Sequence, residues 1–417
     1  MEKFVIRGGK RLRGTVPVGG SKNAALPIMA ASLLVRGKTE LKNVPSLKDV
    51  RTMCDVLRVV GAKVYYEDDR LLIDTTTCDH PEAPYELVKT MRASVLVMGP
   101  LTASMGGARI SKPGGCAIGL RPIDQHLKGM KALGARIEES HGYFDIKVDQ
   151  LKGAEIYMDE PSVTATENII MAASNANGKT VIHNAAREPH VVDLINFLNQ
   201  MGARIEGGGT DVVVLNGGEK LQPVSYRICA DQIEAGTYMI AAAITSGDVL
   251  IKNCSADASA SEIAKLKEMG VSVEEKKDGI RVTSDGNLTG SYVKTLPYPG
   301  FPTDLQPQIT SLLTLAKGTS MVTEGMYENR FTHVPELQRM GADIKIRGRN
   351  AIVNGVDGLG GAMVMASDIR AGAALVLAAL AAEGETHVSR IYHVDRGYDH
   401  MEKKFGLLGA DMERVEE

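Results

Sequence analysis

Residues 201–207 read MGARIEG, and this pattern of an apolar residue, glycine, a small residue and a strand-like run decides the fold. It recurs as VGAKVYY at 60–66, LGARIEE at 133–139, MGVSVEE at 269–275, MGADIKI at 340–346 and LGADMER at 408–414. The glycines of successive copies are 68 to 73 residues apart. A second glycine precedes each copy by 23 to 28 residues, at Gly37, Gly106, Gly178, Gly247, Gly318 and Gly384. Two landmarks that keep register six times indicate a six-fold repeat that fills the chain.

The third copy shows what one repeat contains. Residues 166–177 are helix-like and end at Gly178, and residues 180–184 read as a strand. A second helix is predicted over 191–201, with Gly202 at the C′ position that favours glycine. Two strands, 203–206 and 212–215, flank the glycine-rich turn 207–210. The repeat is therefore an α-β-α-β-β unit, and its long period predicts duplicated globular units rather than a solenoid.

Six units divide most simply into two domains of three. Residues 215–230 (LNGGEKLQPVSYRICA) lie at the midpoint and are the expected crossing. A two-domain protein with a cleft between like halves follows, and clefts between domains are common ligand sites. From periodicity alone, a repeat scaffold without chemistry is the alternative.

Composition narrows the class of protein. The 417 residues are 44% hydrophobic and 24% charged, as in globular proteins. The net charge of −3, the absence of Trp and an aromatic content of 4% disfavour nucleic-acid binding. The longest apolar run, 371–382, is too short to cross a membrane, and residues 1–20 have no secretory pattern. Five scattered cysteines without a CxxC disfavour a disulfide framework, so a cytoplasmic location is expected.

One phosphate-binding motif is present but in the wrong context. Residues 173–180 (ASNANGKT) match a relaxed Walker A pattern. A working P-loop follows a strand and precedes a helix, whereas here a helix comes first and a strand follows. The sequence also lacks HExxH. We therefore expect no ATP site, no metal and no cofactor.

A lone cysteine lies in the glycine-rich loop 111–121 (SKPGGCAIGLR). Cysteine is usually buried among apolar residues, whereas Cys116 has Lys112 and Arg121 as cationic neighbours that lower a thiol pKa. Two interpretations of Cys116 stay open: it is a functional thiol, or it is an incidental surface cysteine.

Single cations recur near predicted helix starts, where backbone N–H groups already favour anions. They are Lys22, Arg92, Arg121, Arg330, Arg370 and Arg396. Each alone is typical of a surface salt bridge. Together they predict a substrate with several negative groups, because Arg offers paired donors to carboxylate and phosphate.

A Pro/Gly turn at 299–304 (PGFPTD) presents Asp304 at the start of a helix predicted over 305–316. Two interpretations stay open here. Asp304 is an N-cap residue, or, beside the arginines, a general base.

Six motifs together resemble the UDP-N-acetylglucosamine 1-carboxyvinyltransferase family. They are GSKNA at 20–24, PGGCAIG at 113–119, RPID at 121–124, FPTD at 301–304, ENRF at 328–331 and DRGY at 395–398. The resemblance implies a two-domain inside-out α/β barrel of six βαβαββ repeats, three per domain. Residues 22–229, with a mobile Cys loop at 111–121, would form the first domain. Residues 1–21 plus 230–417 would form the second, with the active site in the cleft between them.

The resemblance also implies a reaction. The enolpyruvyl group of phosphoenolpyruvate moves to the 3′-hydroxyl of UDP-N-acetylglucosamine by addition and elimination, and phosphate is released. This is the first committed step of peptidoglycan precursor biosynthesis. It needs no cofactor, and no nucleic acid or membrane takes part.

By resemblance, individual residues receive roles. Lys22, Arg121 and Arg396 would hold the phosphate, and Arg330 and Arg370 the carboxylate. Asn23 would bind the tetrahedral intermediate, Cys116 would act as general acid, and Asp304 would deprotonate the sugar hydroxyl. The UDP-sugar site would be lined by Arg92, Arg121, Pro122, Ile123, Asp124, Gln125, Ser162, Val163 and Met326. Glu160 and Gln232 depart from the Lys and Arg of some members, which puts nucleotide affinity in question.

Two alternatives remain. A 3-phosphoshikimate 1-carboxyvinyltransferase shares the fold and mechanism, and Cys116 in its glycine loop argues against it. A catalytically idle paralogue that binds the UDP-sugar is the other. The presence of Lys22, Cys116, Asp304 and Arg396 together argues against an idle protein.

Overall fold

The computed structural model describes residues 2–88, 91–112, 118–119 and 122–416. The strands in this part of the chain are β1 (Glu2–Arg7), β2 (Arg13–Pro17), β3 (Lys38–Lys42), β4 (Lys63–Glu67), β5 (Arg70–Asp74), β6 (Glu82–Ala83), β7 (Gly107–Ser111), β8 (Arg136–Ser140), β9 (Tyr143–Lys147), β10 (Glu155–Tyr157), β11 (Gly178–His183), β12 (Arg204–Glu206), β13 (Val212–Gly217), β14 (Ser225–Arg227), β15 (Asp248–Lys252), β16 (Ser272–Lys276), β17 (Gly279–Thr283), β18 (Tyr292–Lys294), β19 (Thr319–Thr323), β20 (Asp343–Arg347), β21 (Asn350–Asn354), β22 (Met363–Met365), β23 (Glu385–Ser389) and β24 (Asp411–Glu416).

The α-helices are α1 (Lys22–Ala31), α2 (Lys48–Val59), α3 (Tyr85–Val88), α4 (Met98–Met105), α5 (Asp124–Ala132), α6 (Val163–Ser174), α7 (Pro189–Gln200), α8 (Gln232–Ile244), α9 (Ala260–Glu268), α10 (Gln306–Leu313), α11 (Val334–Arg339), α12 (Ile369–Ala381) and α13 (Met401–Gly406). Short 3₁₀ helices cover Ser32–Leu34, Arg92–Val97, Asp257–Ser259, Thr303–Leu305 and Ile391–Arg396.

The predicted repeat is confirmed by the sheets. The described strands form six four-stranded sheets, each with one parallel and two antiparallel strand pairs. In the third repeat, α6, β11, α7, β12 and β13 follow one another as α-β-α-β-β, with ends that differ by a few residues from those expected. Gly202 has φ of 110°. Only glycine adopts this conformation without strain, which explains its place after the helix.

The chain divides into two compact units, with boundaries at Gly19/Gly20 and Cys229/Ala230, and the described loop residues 118–119 belong to the same unit as residues 230–416. Within the unit that begins at Gly20, each edge strand pairs with the central strand of the next repeat: β6 with β7, β10 with β11, and β14 with β3. In the other unit, β18 pairs with β19 and β22 with β23. The N-terminal strands complete that unit, since β1 lies between β23 and β24 and β2 pairs with β15.

Helices fill the interior of each unit. All residues of α10, and residues 233–244 of α8 and 370–380 of α12, are buried. In the unit that begins at Gly20, α1 is buried at every residue except Asn23, and residues 165–174 of α6 are buried. Helices that are buried on every face form the core of each unit, so the sheets cover the outside. None of the helices in the described ranges has the length and apolarity to cross a membrane.

Candidate active site

Lys22 is the first residue of α1, and the backbone before it fixes where that helix begins. The Oγ atom of Ser21 caps the helix by accepting the Ala24 N–H at 3.3 Å. A side chain at Gly20 would collide with the carbonyl oxygen of Asn43. Only glycine therefore allows this close approach of two backbone segments. The sequence GSKNA thus sets the place of Lys22 through local structure.

Lys22 forms a buried ion pair with Asp49. The Nζ atom lies 3.2 Å from Oδ2, and the two side chains are only 10% and 6% exposed. Asp49 is in the first turn of α2. Asp49 does not stand out in the sequence, because an acidic residue in a first helical turn is ordinarily explained by the helix dipole. Asn23, beside Lys22, is half-buried.

Gln125 joins two segments that were predicted to line the sugar site. Its Nε2 donates to Oδ2 of Asp124 at 2.8 Å and to Oδ2 of Asp159 at 3.0 Å. Its Oε1 accepts the Asp159 N–H at 3.0 Å. Hydrogen bonds from Lys128, then from Gln125, hold the pKa of the Asp159 carboxyl below its ordinary value. Asp159 was not predicted, since nothing in the local sequence marks it.

The same segment continues into α6. Ser162 is the N-cap residue and Val163 the first residue of that helix. The structure thus brings Gln125 next to the turn that leads to Ser162 and Val163. Ile123 is buried and Pro122 is exposed, and both precede α5. Glu160 is exposed.

Part of the predicted site lies outside the described residues. This holds for Cys116, for Arg121 and for the side chain of Arg92. Lys112, expected as a cationic neighbour of Cys116, donates to Oε1 of Glu139 at 2.8 Å. Its charge is thus shared with an exposed carboxylate.

A second group of predicted residues meets at Asp304. Arg330 donates from Nη2 to Oδ1 at 2.8 Å, and Arg370 donates from Nε and Nη2 to Oδ2 at 3.1 and 2.8 Å. The arginine side chains are 4% and 5% exposed, whereas that of Asp304 is 30% exposed. Burial alone would lower the pKa of Arg370, but Asp304, Tyr398 and Asp231 together more than offset this, so that pKa lies above its ordinary value. Arg370 is therefore fixed as a cation.

The capping interpretation of Asp304 is wrong. Asp304 lies inside the 3₁₀ helix Thr303–Leu305, and α10 begins at Gln306 with Leu305 as its N-cap residue. Among the described residues, Arg330 Nε and Arg370 Nη1 are buried without a hydrogen-bond partner. Buried polar groups rarely stay unpaired. These two N–H groups are therefore suited to hold an anion in addition to Asp304.

Neighbouring side chains hold both arginines in place. The guanidinium of Arg330 lies 5.5 Å from the ring centre of Tyr327, and that of Arg370 lies 5.5 Å from the ring centre of Tyr398. Such cation–π contacts stabilise a buried guanidinium. Asp368 caps α12 by accepting the N–H of Arg370 at 2.9 Å.

The last predicted cation, Arg396, ends the 3₁₀ helix Ile391–Arg396 and is half-buried. The preceding Asp395 is held by Arg414, whose Nη2 and Nη1 donate to its two oxygens at 2.6 and 3.1 Å. Met326 is half-buried, and its N–H donates to Oε1 of Glu324 at 2.7 Å. Gln232 donates to Oε1 of the buried Glu262 at 2.7 Å. Its side-chain amide is therefore engaged within its own unit.

Known proteins resemble this chain over its full length. A family model described as EPSP synthase (3-phosphoshikimate 1-carboxyvinyltransferase) matches residues 6–405. The UDP-N-acetylglucosamine 1-carboxyvinyltransferase of Geotalea uraniireducens is 53% identical over 417 residues, and both chains are covered completely. UDP-N-acetylglucosamine 1-carboxyvinyltransferase 2 of Carboxydothermus hydrogenoformans is 54% identical over 417 residues, again with complete coverage. The chain belongs to the UDP-N-acetylglucosamine 1-carboxyvinyltransferase family.

As a member of this family, the chain is a transferase, and the resemblance seen in its motifs is confirmed. Among solved structures, the enolpyruvyl transferase NikO from Streptomyces tendae has a TM-score of 0.88 at 25% identity, with 99% of each chain covered. The predicted enolpyruvyl transferase fold is thereby confirmed. Complete coverage at 53 and 54% identity also favours this family over the 3-phosphoshikimate enzyme named by the broader model.

Proposed function

We propose that this chain transfers the enolpyruvyl group of phosphoenolpyruvate to the 3′-hydroxyl of UDP-N-acetylglucosamine and releases phosphate, the first committed step of peptidoglycan precursor synthesis. The observation that supports this best is that Arg330 and Arg370 both donate hydrogen bonds to the Asp304 carboxylate. Two buried guanidiniums beside a partly exposed carboxylate combine an anion site with a candidate base. The names of the relatives indicate UDP-N-acetylglucosamine as the acceptor.

In the addition step, Asp304 takes the proton of the 3′-hydroxyl, and the oxygen attacks C2 of phosphoenolpyruvate. The methylene carbon takes a proton, for which Cys116 is the proposed donor. In the elimination step, the methyl group loses a proton and phosphate leaves, which restores the double bond in the product. Both steps pass through an intermediate that carries a phosphate and a carboxylate. Fixed cations lower such barriers because their dipoles and charges need no reorganisation.

The cations divide between the two substrate groups. Arg330 and Arg370 would hold the carboxylate through the N–H groups that lack a partner among the described residues. Lys22, Arg121 and Arg396 would hold the phosphate, and Asn23 would bind the intermediate. Lys22 suits this role since Asp49 orients its ammonium group. The proposal requires residues 20–229 and residues 230–417 to act on the same pair of substrates.

The nucleotide sugar would contact the residues around Gln125. Gln125, Asp124, Ser162 and Val163 are linked through Asp159 and the start of α6. Arg92, Arg121, Pro122, Ile123 and Met326 complete the proposed sugar site. Phosphoenolpyruvate and UDP-N-acetylglucosamine are the proposed substrates, in the cytoplasm.

Phosphate release from the purified chain tests the proposal. Phosphoenolpyruvate is supplied with UDP-N-acetylglucosamine, with shikimate 3-phosphate, or with no acceptor. We expect release only with the nucleotide sugar. An Asp304→Asn variant purified in the same way controls for contaminating phosphatases. Phosphate release with shikimate 3-phosphate would identify that compound as the acceptor. The absence of release with either compound would favour an idle paralogue that binds the sugar.

A further inference from the structure

Glu324 is a buried carboxylate that neither the motifs nor the proposed roles include. It is 1% exposed and lies directly after β19. Its Oε1 accepts the Thr295 hydroxyl at 2.8 Å, the Met326 N–H at 2.7 Å and the Tyr327 N–H at 3.1 Å. Its Oε2 accepts the Thr303 hydroxyl at 3.0 Å. We call Glu324 and these four partners the Glu324 hub.

The repeats show that this carboxylate is a departure from the pattern. The residues directly after the six central strands are Asn43, Lys112, Asn184, Asn253, Glu324 and Arg390. Asn43 donates from Nδ2 to the carbonyl of Ile228 at 2.9 Å, and Asn184 does the same to Met158 at 3.0 Å. Ile228 and Met158 each follow a parallel edge strand, β14 or β10. In those repeats the side chain only ties two strand ends together.

Glu324 ties the same two strand ends and two further segments. Thr295 follows the edge strand β18, so its bond to Glu324 is the equivalent of the asparagine contacts. The added length and second oxygen of Glu reach Thr303, the residue before Asp304. They also fix the backbone of Met326 and Tyr327. Tyr327 in turn lies against the guanidinium of Arg330.

We propose that Glu324 is a positioning residue that sets the base Asp304 and the Met326 turn in one geometry. The inference rests on the proposed function, which makes Asp304 the base and Met326 a sugar contact. A buried carboxylate without its hydrogen bonds is costly, so a hub with four acceptor contacts holds a single arrangement. A displacement of about 1 Å at a reacting group costs up to about 100-fold in rate. Glu324 therefore couples the place of the sugar to the place of the base.

Threonine variants separate positioning from folding. Thr303→Val removes only the hydrogen bond between the hub and the Asp304 segment. Thr323→Val is the matched control, since Thr323 lies next to Glu324 but its hydroxyl donates to Asn350 at 2.6 Å. We expect Thr303→Val to lower kcat about tenfold while KM for UDP-N-acetylglucosamine changes less than about twofold. Thr323→Val is expected to keep both within about twofold. Equal kcat for the two variants would overturn the proposal.

Glu324 itself gives a graded test. Glu324→Ala is expected to lower kcat by about 100-fold and to raise KM for the sugar several-fold, because both segments lose their anchor. Glu324→Gln keeps the shape and one acceptor oxygen, so it is expected to recover most of the loss. If Glu324→Gln is as poor as Glu324→Ala in kcat, positioning by shape is overturned.

A measurement without turnover distinguishes this inference from the proposed function. Amide hydrogen exchange of residues 325–330 is expected to speed up at least about tenfold in Glu324→Ala and to stay unchanged in Thr323→Val. Protection that is unchanged in Glu324→Ala would overturn the hub as an anchor, whatever the reaction. A wild-type chain that releases no phosphate yet shows this exchange pattern would reject the proposed function alone.

Discussion

Lys22 and Asp49 form a buried ion pair in which Nζ lies 3.2 Å from Oδ2. The pair joins the first residue of α1 to the first turn of α2, and both side chains are almost fully removed from water. A buried charge of this kind is stable only with a partner. The ammonium group that we assign to the phosphate is therefore held by a residue that the motifs do not contain.

Asp49→Asn is expected to weaken phosphoenolpyruvate binding and to destabilise the fold. Loss of one partner of a buried pair costs about 3–5 kcal/mol, and the oriented ammonium group is lost with it. We expect KM for phosphoenolpyruvate to rise at least about tenfold in steady-state assays. Asp55→Asn is the control on the same helix, where Asp55 is 54% exposed and pairs with Arg58. An unchanged KM in Asp49→Asn would contradict the role given to the pair.

Asp304→Asn is expected to lose turnover but still bind the nucleotide sugar. The amide keeps the shape of the carboxylate but cannot take a proton, so a fall of about 10²–10⁴ in kcat is expected. Calorimetry is expected to give a Kd for UDP-N-acetylglucosamine close to that of the wild type. Asp343→Asn, at an exposed position on β20, serves as the control. If Asp304→Asn keeps the wild-type turnover, Asp304 is not the general base.

Selective alkylation is expected at Cys116. Burial raises the pKa of Cys54, Cys78 and Cys254 to about 11. At pH 8 only about one in a thousand of these thiols is a thiolate, and the thiolate is the reactive form. Iodoacetamide at pH 8 followed by peptide mass spectrometry is expected to place the first label on Cys116 and to abolish turnover in parallel. Cys116→Ser is expected to lose most turnover but still bind the sugar. A first label elsewhere, or full activity in Cys116→Ser, would contradict the role.

His333 is expected to make stability depend on pH. Burial lowers the pKa of His333 to about 4. The charge of Arg330 adds to this effect, whereas the charge of Asp368 opposes it. The unfolded chain binds this proton below about pH 6.5, whereas the folded chain resists it until about pH 4. Stability is therefore lost as pH falls from 6.5 toward 4, by about 2 kcal/mol between pH 7 and pH 5.

Urea unfolding at these two pH values checks this expectation. His333→Leu removes the titrating group, so its loss of stability between pH 7 and pH 5 is expected to be smaller than that of the wild type by about 2 kcal/mol. Equal losses in both proteins would show that other groups carry the pH dependence.

The repeat could be predicted from sequence because its landmarks are local. Gly202 and its five counterparts mark helix ends, and the apolar spacing before each reports one buried face. The place of β1 could not be predicted in this way. Its partners β23 and β24 lie almost 400 residues further along the chain, and periodicity carries no information on such pairing.

The residues of the site likewise divide into those with a local sequence signal and those without one. Asp304 and Arg330 stand out in short motifs and Arg370 as a cation near a predicted helix start, and the structure brings the three together. Asp49, Asp159 and Glu324 do not stand out, because their importance comes from burial and from partners distant in sequence. A comparison of repeat positions is the signal that finds Glu324, since asparagine occupies this position in three other repeats. The roles assigned to Cys116, Arg121 and Arg92 stay predictions.

The two boundaries of the chain have a consequence for protein engineering. The N–H of Ser21 donates to the carbonyl of Cys229 at 2.8 Å, so residues 20–229 begin and end at one point. The N–H of Asp231 donates to the carbonyl of Gly19 at 3.0 Å, so the flanking segments also meet. A segment whose ends already touch can be excised, circularised or permuted with a short linker. A short linker between residues 20 and 229 is therefore expected to join the two ends of this segment without distorting the backbone at either end.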